Sequence, residues 1–189
     1  MLYIFDMGGV VTTNASIDEK IAGHLGVNVE DFRKDSKDLF EKCSDGIIDT
    51  REFWRLYSER TGVKVTTDWF HWCFHPVLNE DTVRLIKKLK ELGNRVVCGT
   101  NTISAHYFNH IERGDYAYFD QTYSSCAMGV SKPDTTFWKI ILDAEEVEPK
   151  DAVFFDDKIE NCRAAESMGI KAVHFTDAHK AAEEIGIGF

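Results

Sequence analysis

The chain has 189 residues and a net charge of −10, and this length indicates one domain of ordinary size, or one domain with a small insertion. Hydrophobic residues make up 43% of the sequence and charged residues 29%, with only 3 prolines, so the composition is that of a chain with a buried core and argues against disorder. The acidic balance excludes the basic surface by which proteins bind nucleic acid or anionic membranes.

The sequence also argues against a membrane or secreted protein. No stretch approaches about 18 apolar residues, the length that spans a bilayer, and the N-terminus lacks the basic flank of a signal peptide. The 5 cysteines are widely spaced and include no C-x-x-C pair, which is typical of free thiols in a reducing compartment. We therefore expect a cytoplasmic protein, and the sequence does not indicate its oligomeric state.

The first predicted element is a strand at residues 2–5, a continuous apolar run that ends at Asp6. Runs without polar alternation are typical of strands that are buried on both faces of a parallel sheet. From residue 14 to about residue 78 no strand-like run occurs, whereas Asp49 and Glu52 form a capping-box pattern that predicts a helix start. We expect this stretch to be a helical insertion.

After the insertion, apolar runs alternate with helical patterns, one of which is entered through Pro133, a residue suited to the first helical turn. Strands are predicted at residues 95–98, 152–155 and 170–175, and a weaker one at 121–124. This alternation predicts an α/β fold, a three-layer Rossmann-like parallel sheet. The expected organisation is a core of residues 1–13 and 79–189, with an all-helical cap at residues 14–78.

Candidate site residues follow the predicted strands, where the sites of open parallel sheets form. They are Asp6, Met7, Gly8 and Gly9 after the first strand, Thr100 and Asn101 after the second, Asp156 and Asp157 after the strand at 152–155, and Lys132 before a helix. Each group also has an ordinary structural explanation: a turn at the glycines, helix N-caps at Thr100 and the Asp pair, and a solvated Lys132. Together they would place acidic groups, a hydroxyl and an ammonium at one edge of the sheet.

Four segments match, in order and spacing, the motifs of the haloacid dehalogenase-like (HAD) superfamily: YIFDMGGVV (3–11), VCGTN (97–101), SKPD (131–134) and FFDDKIEN (154–161). The chain resembles this superfamily over essentially its whole length. The insertion between the first and second motifs resembles the helical cap of subfamily I. Within the superfamily, the chain is most similar to phosphatases of the α-D-glucose-1-phosphate type, whose first motif is also Asp-x-Gly.

The resemblance implies a Mg²⁺-dependent phosphatase that acts on a small phosphorylated metabolite such as a sugar phosphate, in particular an anomeric 1-phosphate. Asp6 would attack phosphorus and form an aspartyl-phosphate. The Mg²⁺ ligands would be an Asp6 oxygen, the Gly8 carbonyl and Asp157, with Asp156 as a helper or a water-mediated ligand. Gly8 and Gly9 would let the backbone approach the phosphate and the metal, where a side chain would obstruct.

The same resemblance assigns the binding of the phosphoryl group. Thr100 and nearby backbone amides would donate hydrogen bonds to its oxygens, and Met7, Gly8 and Asn101 would line the phosphate site. Lys132 would neutralise negative charge on Asp6 and on the transferring group, which is the main requirement of phosphoryl transfer.

One position departs from the family pattern. Family phosphatases usually carry a second Asp two residues after the nucleophile, as general acid and base, and here that position is Gly8. General acid catalysis contributes about 10²–10⁴-fold, so we expect slow hydrolysis of ordinary alkyl phosphates. Either the substrate has a good leaving group, or His24 or a cap carboxylate supplies the acid, or the chain is a poor catalyst.

Two alternatives stay open. The 2-haloacid dehalogenases of the superfamily also lack the second Asp and need no metal, but they do not require the acidic pair Asp156 and Asp157. A non-catalytic HAD-like binding protein would be expected to lose motif residues that this chain keeps.

Three tryptophans lie in the predicted cap: Trp54, Trp69 and Trp72. We expect them to pack between helices, with stacking on a sugar as the alternative.

Overall fold

The computed structural model describes residues 1–14 and 16–188. In chain order, the elements are β1 (Leu2–Phe5), β2 (Thr12–Thr13), α1 (Asp18–Leu25), α2 (Val29–Ser44), α3 (Thr50–Thr61), α4 (Trp69–Cys73), β3 (Val77–Leu78), α5 (Glu80–Glu91), β4 (Arg95–Thr100), α6 (Ser104–Arg113), β5 (Gln121–Ser124), α7 (Ser125–Met128), α8 (Thr136–Glu145), β6 (Ala152–Asp156), α9 (Ile159–Ser167), β7 (Lys171–His174) and α10 (Ala178–Glu184). Within these ranges, no helix is long and apolar enough to cross a bilayer.

The centre of the molecule is a parallel sheet with the strand order β5-β4-β1-β6-β7. In its middle, Leu2 of β1 lies opposite Arg95 of β4 on one side and Ala152 of β6 on the other. All residues of β1 and β6 are buried, as expected for continuous apolar runs that are covered on both faces. The predicted parallel α/β fold is confirmed, including the weak strand at β5.

Side chains that alternate along β1 build two hydrophobic layers. Tyr3 and Phe5 point to one face, into a cluster with α5 and α10. Leu2 and Ile4 point to the other face, into a cluster with α8 and α9. Because successive residues of a strand face opposite sides, the four-residue β1 contributes to both layers of the core, and this gives the three-layer architecture.

Helices α1–α4, called here the helical insertion, pack around a separate apolar cluster. Phe32, Phe53 and Phe70 lie in its interior, and Ile103 from the start of α6 completes it. The aromatic rings are in direct contact, with ring centroids of Phe53 and Phe70 4.7 Å apart. The insertion is therefore a packed helical unit that rests on the residues just after β4.

The structure differs from the sequence-based expectations in two local places. Strands β2 and β3 pair antiparallel at the base of the helical insertion, although no strand was expected within residues 14–78. Two-residue strands are too short to show a periodicity, so the sequence could not reveal them. Helix α8 begins at Thr136 rather than at Pro133, because the Asp134 carboxylate accepts the Thr136 backbone N–H at 2.8 Å and so satisfies a donor at the helix start.

Candidate active site

The site lies where the three central strands end. β4, β1 and β6 are neighbours in the sheet, so their carboxyl ends bring Thr100, Asp6 and Asp156 together. The Asp6 backbone N–H donates to the Phe155 carbonyl at 2.9 Å, which continues the β1–β6 pairing to Asp6. The side chains of Asp6 and Thr100 are buried, and Asp156 is fully buried.

Lys132 joins the first and fourth motifs through its ammonium group. Its Nζ lies 2.8 Å from Asp6 Oδ1, 2.7 Å from Asp156 Oδ2 and 3.0 Å from the Gly99 carbonyl. Three acceptors thus take up the three ammonium protons, and the side chain is 1% exposed. Burial alone would lower the pKa of Lys132, but the two carboxylates outweigh it and raise that pKa above its usual value.

Asn101 holds the loop that carries Lys132. Its side-chain Nδ2 donates to the Lys132 carbonyl and its Oδ1 accepts the Lys132 backbone N–H, both at 2.8 Å. The Asn101 amide is therefore engaged in a two-point contact between the second and third motifs. This contact was not foreseen from the sequence, which assigned Asn101 to the phosphate site.

Asp156 is enclosed by donors. Besides Lys132, it accepts the Lys158 backbone N–H at 2.8 Å and the Asn161 side chain at 3.0 and 3.1 Å. The carboxylate oxygens of Asp156 thus accept hydrogen bonds from protein donors. This arrangement is suited to a helper residue that orients Lys132. Sequence reasoning missed the role of Asn161, although it stands one helical turn after the Asp pair, within the fourth motif.

A metal ion would fit beside the three carboxylates. Ligand oxygens of Asp6, Asp156 and Asp157 lie within 4.8 Å of one another, and hard carboxylate oxygens are the ligands that Mg²⁺ prefers. Burial, together with the charge of Asp156, raises the pKa values of Asp6 and Asp157. Three acidic groups face one ammonium, so the cluster has the excess negative charge that a divalent cation would neutralise.

The two glycines of the first motif differ in what surrounds them. A Cβ built on Gly9, whose φ is +81°, would lie 2.3 Å from Asp157 Oδ2. At Gly8, by contrast, no described atom lies within 4 Å of such a Cβ. A side chain at position 9 would therefore collide with Asp157, whereas one at position 8 would meet no described atom of the protein. That both glycines let the backbone approach the phosphate and the metal stays a prediction.

Two further site candidates are buried. Thr100 ends β4, and its hydroxyl is 3.4 Å from the Asn101 carbonyl; it does not cap α6, which begins at Ser104. The Met7 carbonyl accepts the backbone N–H groups of Val11 and Thr12 at 3.0 and 2.8 Å. The Met7 carbonyl is thereby engaged in the turn that follows Asp6.

The helical insertion contacts the loop of Lys132. Ser44 Oγ lies 3.2 Å from Ser131 Oγ and 3.3 Å from Ser125 Oγ, and Ser131 also donates to the Asp45 carboxylate. Asp45 is therefore a carboxylate of the insertion that reaches the residue next to Lys132.

Elsewhere in the insertion, the ring of His24 is stacked on that of Trp69, with centroids 4.2 Å apart. The sequence predicted that the cap tryptophans pack between helices, which fits the buried Trp54 but not Trp72, whose side chain is 65% exposed.

Over most of its length, the sequence of this chain resembles those of known hydrolases. Residues 1–169 match the family model of haloacid dehalogenase-like hydrolases. A sesquiterpene phosphatase from Aspergillus oryzae is 28% identical over 184 residues, which cover 93% of this chain and 89% of the relative.

Solved structures share the fold over nearly the whole chain. A HAD family enzyme from Bacteroides thetaiotaomicron, in complex with magnesium and inorganic phosphate, is 25% identical, with a TM-score of 0.74 and 93% of each chain covered. A protein from Porphyromonas gingivalis assigned to the HAD-like hydrolases is 21% identical, with a TM-score of 0.82 and coverage of 97% and 96%. The latter likeness bears on the fold alone.

Proposed function

The chain belongs to the haloacid dehalogenase-like hydrolase family, and we propose that it is a Mg²⁺-dependent phosphatase that works through an aspartyl-phosphate on Asp6. The observation that carries this proposal is the contact of Lys132 with both Asp6 and Asp156, beside the third carboxylate of Asp157. The magnesium and phosphate complex of the Bacteroides thetaiotaomicron relative supports it.

In this proposal, a carboxylate oxygen of Asp6 attacks phosphorus and the bond from phosphorus to the leaving oxygen breaks. Water then attacks the acyl phosphate, which releases phosphate and restores Asp6. Asp6, the Gly8 carbonyl and Asp157 would hold Mg²⁺, which would offset the charge of the phosphoryl group when bound. Asp156 keeps Lys132 in place, where the ammonium offsets negative charge on Asp6 and on the phosphoryl group. Thr100 and backbone groups from Met7 to Gly8 and at Asn101 bind the phosphoryl oxygens.

The helical insertion would act as the cap of subfamily I, which excludes water when it closes over the substrate. Ser44 and Asp45 already contact the loop of Lys132, which supports such a role. Because no carboxylate stands at position 8, the leaving group must depart without the usual acid, unless Asp45 or His24 supplies it.

The substrate is a phosphorylated small molecule, and two classes are in competition. The Asp-x-Gly first motif, which resembles that of α-D-glucose-1-phosphate phosphatases, favours an anomeric sugar phosphate, whose leaving oxygen needs little help from an acid. The similarity to the sesquiterpene phosphatase favours the phosphate ester of an apolar alcohol.

Dehalogenation is the alternative chemistry. The intact acidic pair Asp156 and Asp157, held beside Asp6, argues for the phosphatase, since an attack on carbon needs no metal site. Halide release from a 2-haloacid, with no phosphate release from any ester, would reverse the proposal. Release of neither product would favour a non-catalytic binding protein.

The proposal is tested by trapping the intermediate. The protein is mixed with p-nitrophenyl phosphate and Mg²⁺, and the reaction is quenched in acid. The protein is then digested, and the mass of the peptide that contains Asp6 is measured by mass spectrometry. We expect a phosphoryl adduct on that peptide, no adduct in Asp6→Asn, and an unchanged adduct in Asp143→Asn, which alters an exposed carboxylate of α8. Turnover with an adduct on any other residue would contradict the assignment of Asp6.

A further inference from the structure

Three consecutive residues at the end of helix α2 touch the α/β core. They are Ser44, Asp45 and Gly46, called here the docking turn. Ser44 Oγ lies 3.3 Å from Ser125 Oγ and 3.2 Å from Ser131 Oγ. Ser131 also donates a hydrogen bond to the Asp45 carboxylate. The docking turn thus reaches two segments of the core, the start of α7 and the loop of the third motif.

Gly46 lies directly against α7. Its φ is +66°, a backbone conformation that favours glycine, and a Cβ built on it would lie 2.1 Å from the Cys126 carbonyl oxygen. Gly26, at the end of α1, has nearly the same φ of +68°, but no described atom lies within 4 Å of its Cβ. The two glycines share a backbone conformation, and only Gly46 needs its missing side chain for the contact with the core.

The position of Asp45 is not explained by the stability of its own helix. Asp45 is the C-cap of α2, where a carboxylate faces the negative end of the helix dipole. In the part of the chain that the structure describes, its one side-chain hydrogen bond comes from Ser131. Because a carboxylate only accepts hydrogen bonds, Asp45 also fixes the direction of the Ser131 hydroxyl proton. The carboxylate therefore acts on a loop of the core.

Contacts within the core connect the two segments that the docking turn reaches. Ser125 exchanges hydrogen bonds with the backbone N–H and carbonyl of Thr102 at 2.9 and 3.2 Å. The preceding residue, Asn101, binds both backbone groups of Lys132 through its side chain. The docking turn joins Ser125 to the Lys132 loop on the remaining side. The contacts thus form a closed ring, and one side of it belongs to the helical insertion.

The Lys132 side chain depends on accurate placement of this loop. Its Nζ lies 2.8 Å from Asp6 Oδ1 and 2.7 Å from Asp156 Oδ2, so it sits at the normal length of a charged hydrogen bond to both. A misplacement of about 1 Å can lower the rate of a catalysed reaction by about 10²-fold. Contacts that fix the loop backbone therefore bear on the proposed chemistry.

We propose that Asp45 is a positioning residue: when the docking turn rests on α7, its carboxylate holds Ser131 and thereby sets the loop that carries Lys132. The inference rests on the proposed phosphatase function and adds a coupling between the contact of the helical insertion with the core and the placement of Lys132. This role differs from that of a general acid, since Asp45 acts on Lys132 and not on the leaving group.

The first measurement is kcat for p-nitrophenyl phosphate with Mg²⁺. The leaving group of this substrate needs no acid, so a loss of rate reports on Lys132 and not on protonation of the leaving group. We expect kcat of Asp45→Ala to fall on the order of tenfold, the size expected for a lost hydrogen bond to a charged group. Asp45→Asn, which can still accept the Ser131 hydroxyl, should recover most of the rate. Glu41→Ala, which removes an exposed carboxylate one helical turn earlier, should keep the native kcat.

A second pair of variants lifts the docking turn and leaves Asp45 and Ser131 unchanged. Gly46→Ala would meet the carbonyl of α7, whereas Gly26→Ala has the same backbone cost and meets nothing. In all variants, NMR measures hydrogen exchange of the Lys132 backbone N–H, which donates to Asn101. We expect exchange on the order of tenfold faster in Asp45→Ala and Gly46→Ala, with a similar fall in kcat, and native values in Gly26→Ala.

The outcomes separate the two proposals. Native kcat in Asp45→Ala would overturn the positioning role, even with faster exchange, because the contact would then be structural only. Equal effects in Gly46→Ala and Gly26→Ala would also overturn it. If the native protein does not hydrolyse p-nitrophenyl phosphate, the phosphatase proposal fails instead. Exchange still decides the contact in that case: a faster Lys132 N–H in Asp45→Ala supports it, and an unchanged one refutes it.

Discussion

Gly9 sets the position of a carboxylate that would bind the metal. Its missing side chain leaves the space in which the Asp157 carboxylate lies, and its positive φ is disfavoured for other residues. Gly8, its neighbour, has neither constraint. Position 9 therefore requires glycine, both for its backbone conformation and for the space beside Asp157, whereas position 8 could accept a side chain.

We predict that Gly9→Ala weakens the binding of Mg²⁺ by displacing Asp157. The left-handed backbone should also cost about 1–2 kcal/mol in free energy of unfolding. Gly8→Ala should change neither quantity much, because its Cβ meets no described atom within 4 Å. Calorimetric titration with Mg²⁺ and thermal unfolding of both variants give the comparison, and equal Mg²⁺ affinity in the two variants would contradict the placement of Asp157.

The space at Gly8 also allows a gain of function. Gly8→Asp would place a carboxyl group where family phosphatases carry their general acid, and such catalysis contributes about 10²–10⁴-fold in established sites. We expect kcat for an alkyl phosphate to rise by at least about tenfold, with little change for p-nitrophenyl phosphate, whose leaving group needs no acid. Gly8→Asn is the matched control, and an equal rate in both variants would show that the missing acid does not limit turnover.

At the scale of elements, helix α6 carries a buried polar group next to the helical insertion. The ring of His106 is stacked on Phe74 with centroids 3.8 Å apart, and its Nε2 atom is buried without a hydrogen-bond partner among the described residues. Burial, with the nearby His110, lowers the pKa of His106 to about 3. His110 is paired with Asp115, which also binds Arg113.

This environment predicts a loss of stability in mild acid. The unfolded ring takes up a proton below a pH of about 6.5, whereas the folded ring stays neutral down to about 3. The free energy of unfolding should therefore fall as pH drops through this window, by up to about 1.4 kcal/mol per pH unit from His106 alone. Urea unfolding at several pH values should give a shallower fall for His106→Phe, and the same slope in both proteins would contradict a neutral buried ring.

At the scale of the whole molecule, the sequence predicts the sheet well and the contacts around the site poorly. Continuous apolar runs identified β1, β4 and β6, because a strand covered on both faces is largely apolar. The run at β7 was also identified, although this strand lies at the sheet edge and its ends are exposed. The pairing of Asn101 with Lys132 could not be read in the same way, since it depends on how two loops, 31 residues apart, approach each other.

A protein with a net negative charge can bind an anionic phosphate only if positive charge lies at the binding site itself. Lys132 supplies it locally, and a divalent cation beside Asp6 and Asp157 would supply more, so the net charge of −10 does not oppose the proposed activity.

The most direct test of the central claim is phosphate release from p-nitrophenyl phosphate, with and without Mg²⁺, by the native protein and by Asp6→Asn. We predict release by the native protein only when Mg²⁺ is present, and none by Asp6→Asn, which should unfold at the same temperature as the native protein. Release that is independent of Mg²⁺, or undiminished in Asp6→Asn, would contradict the account.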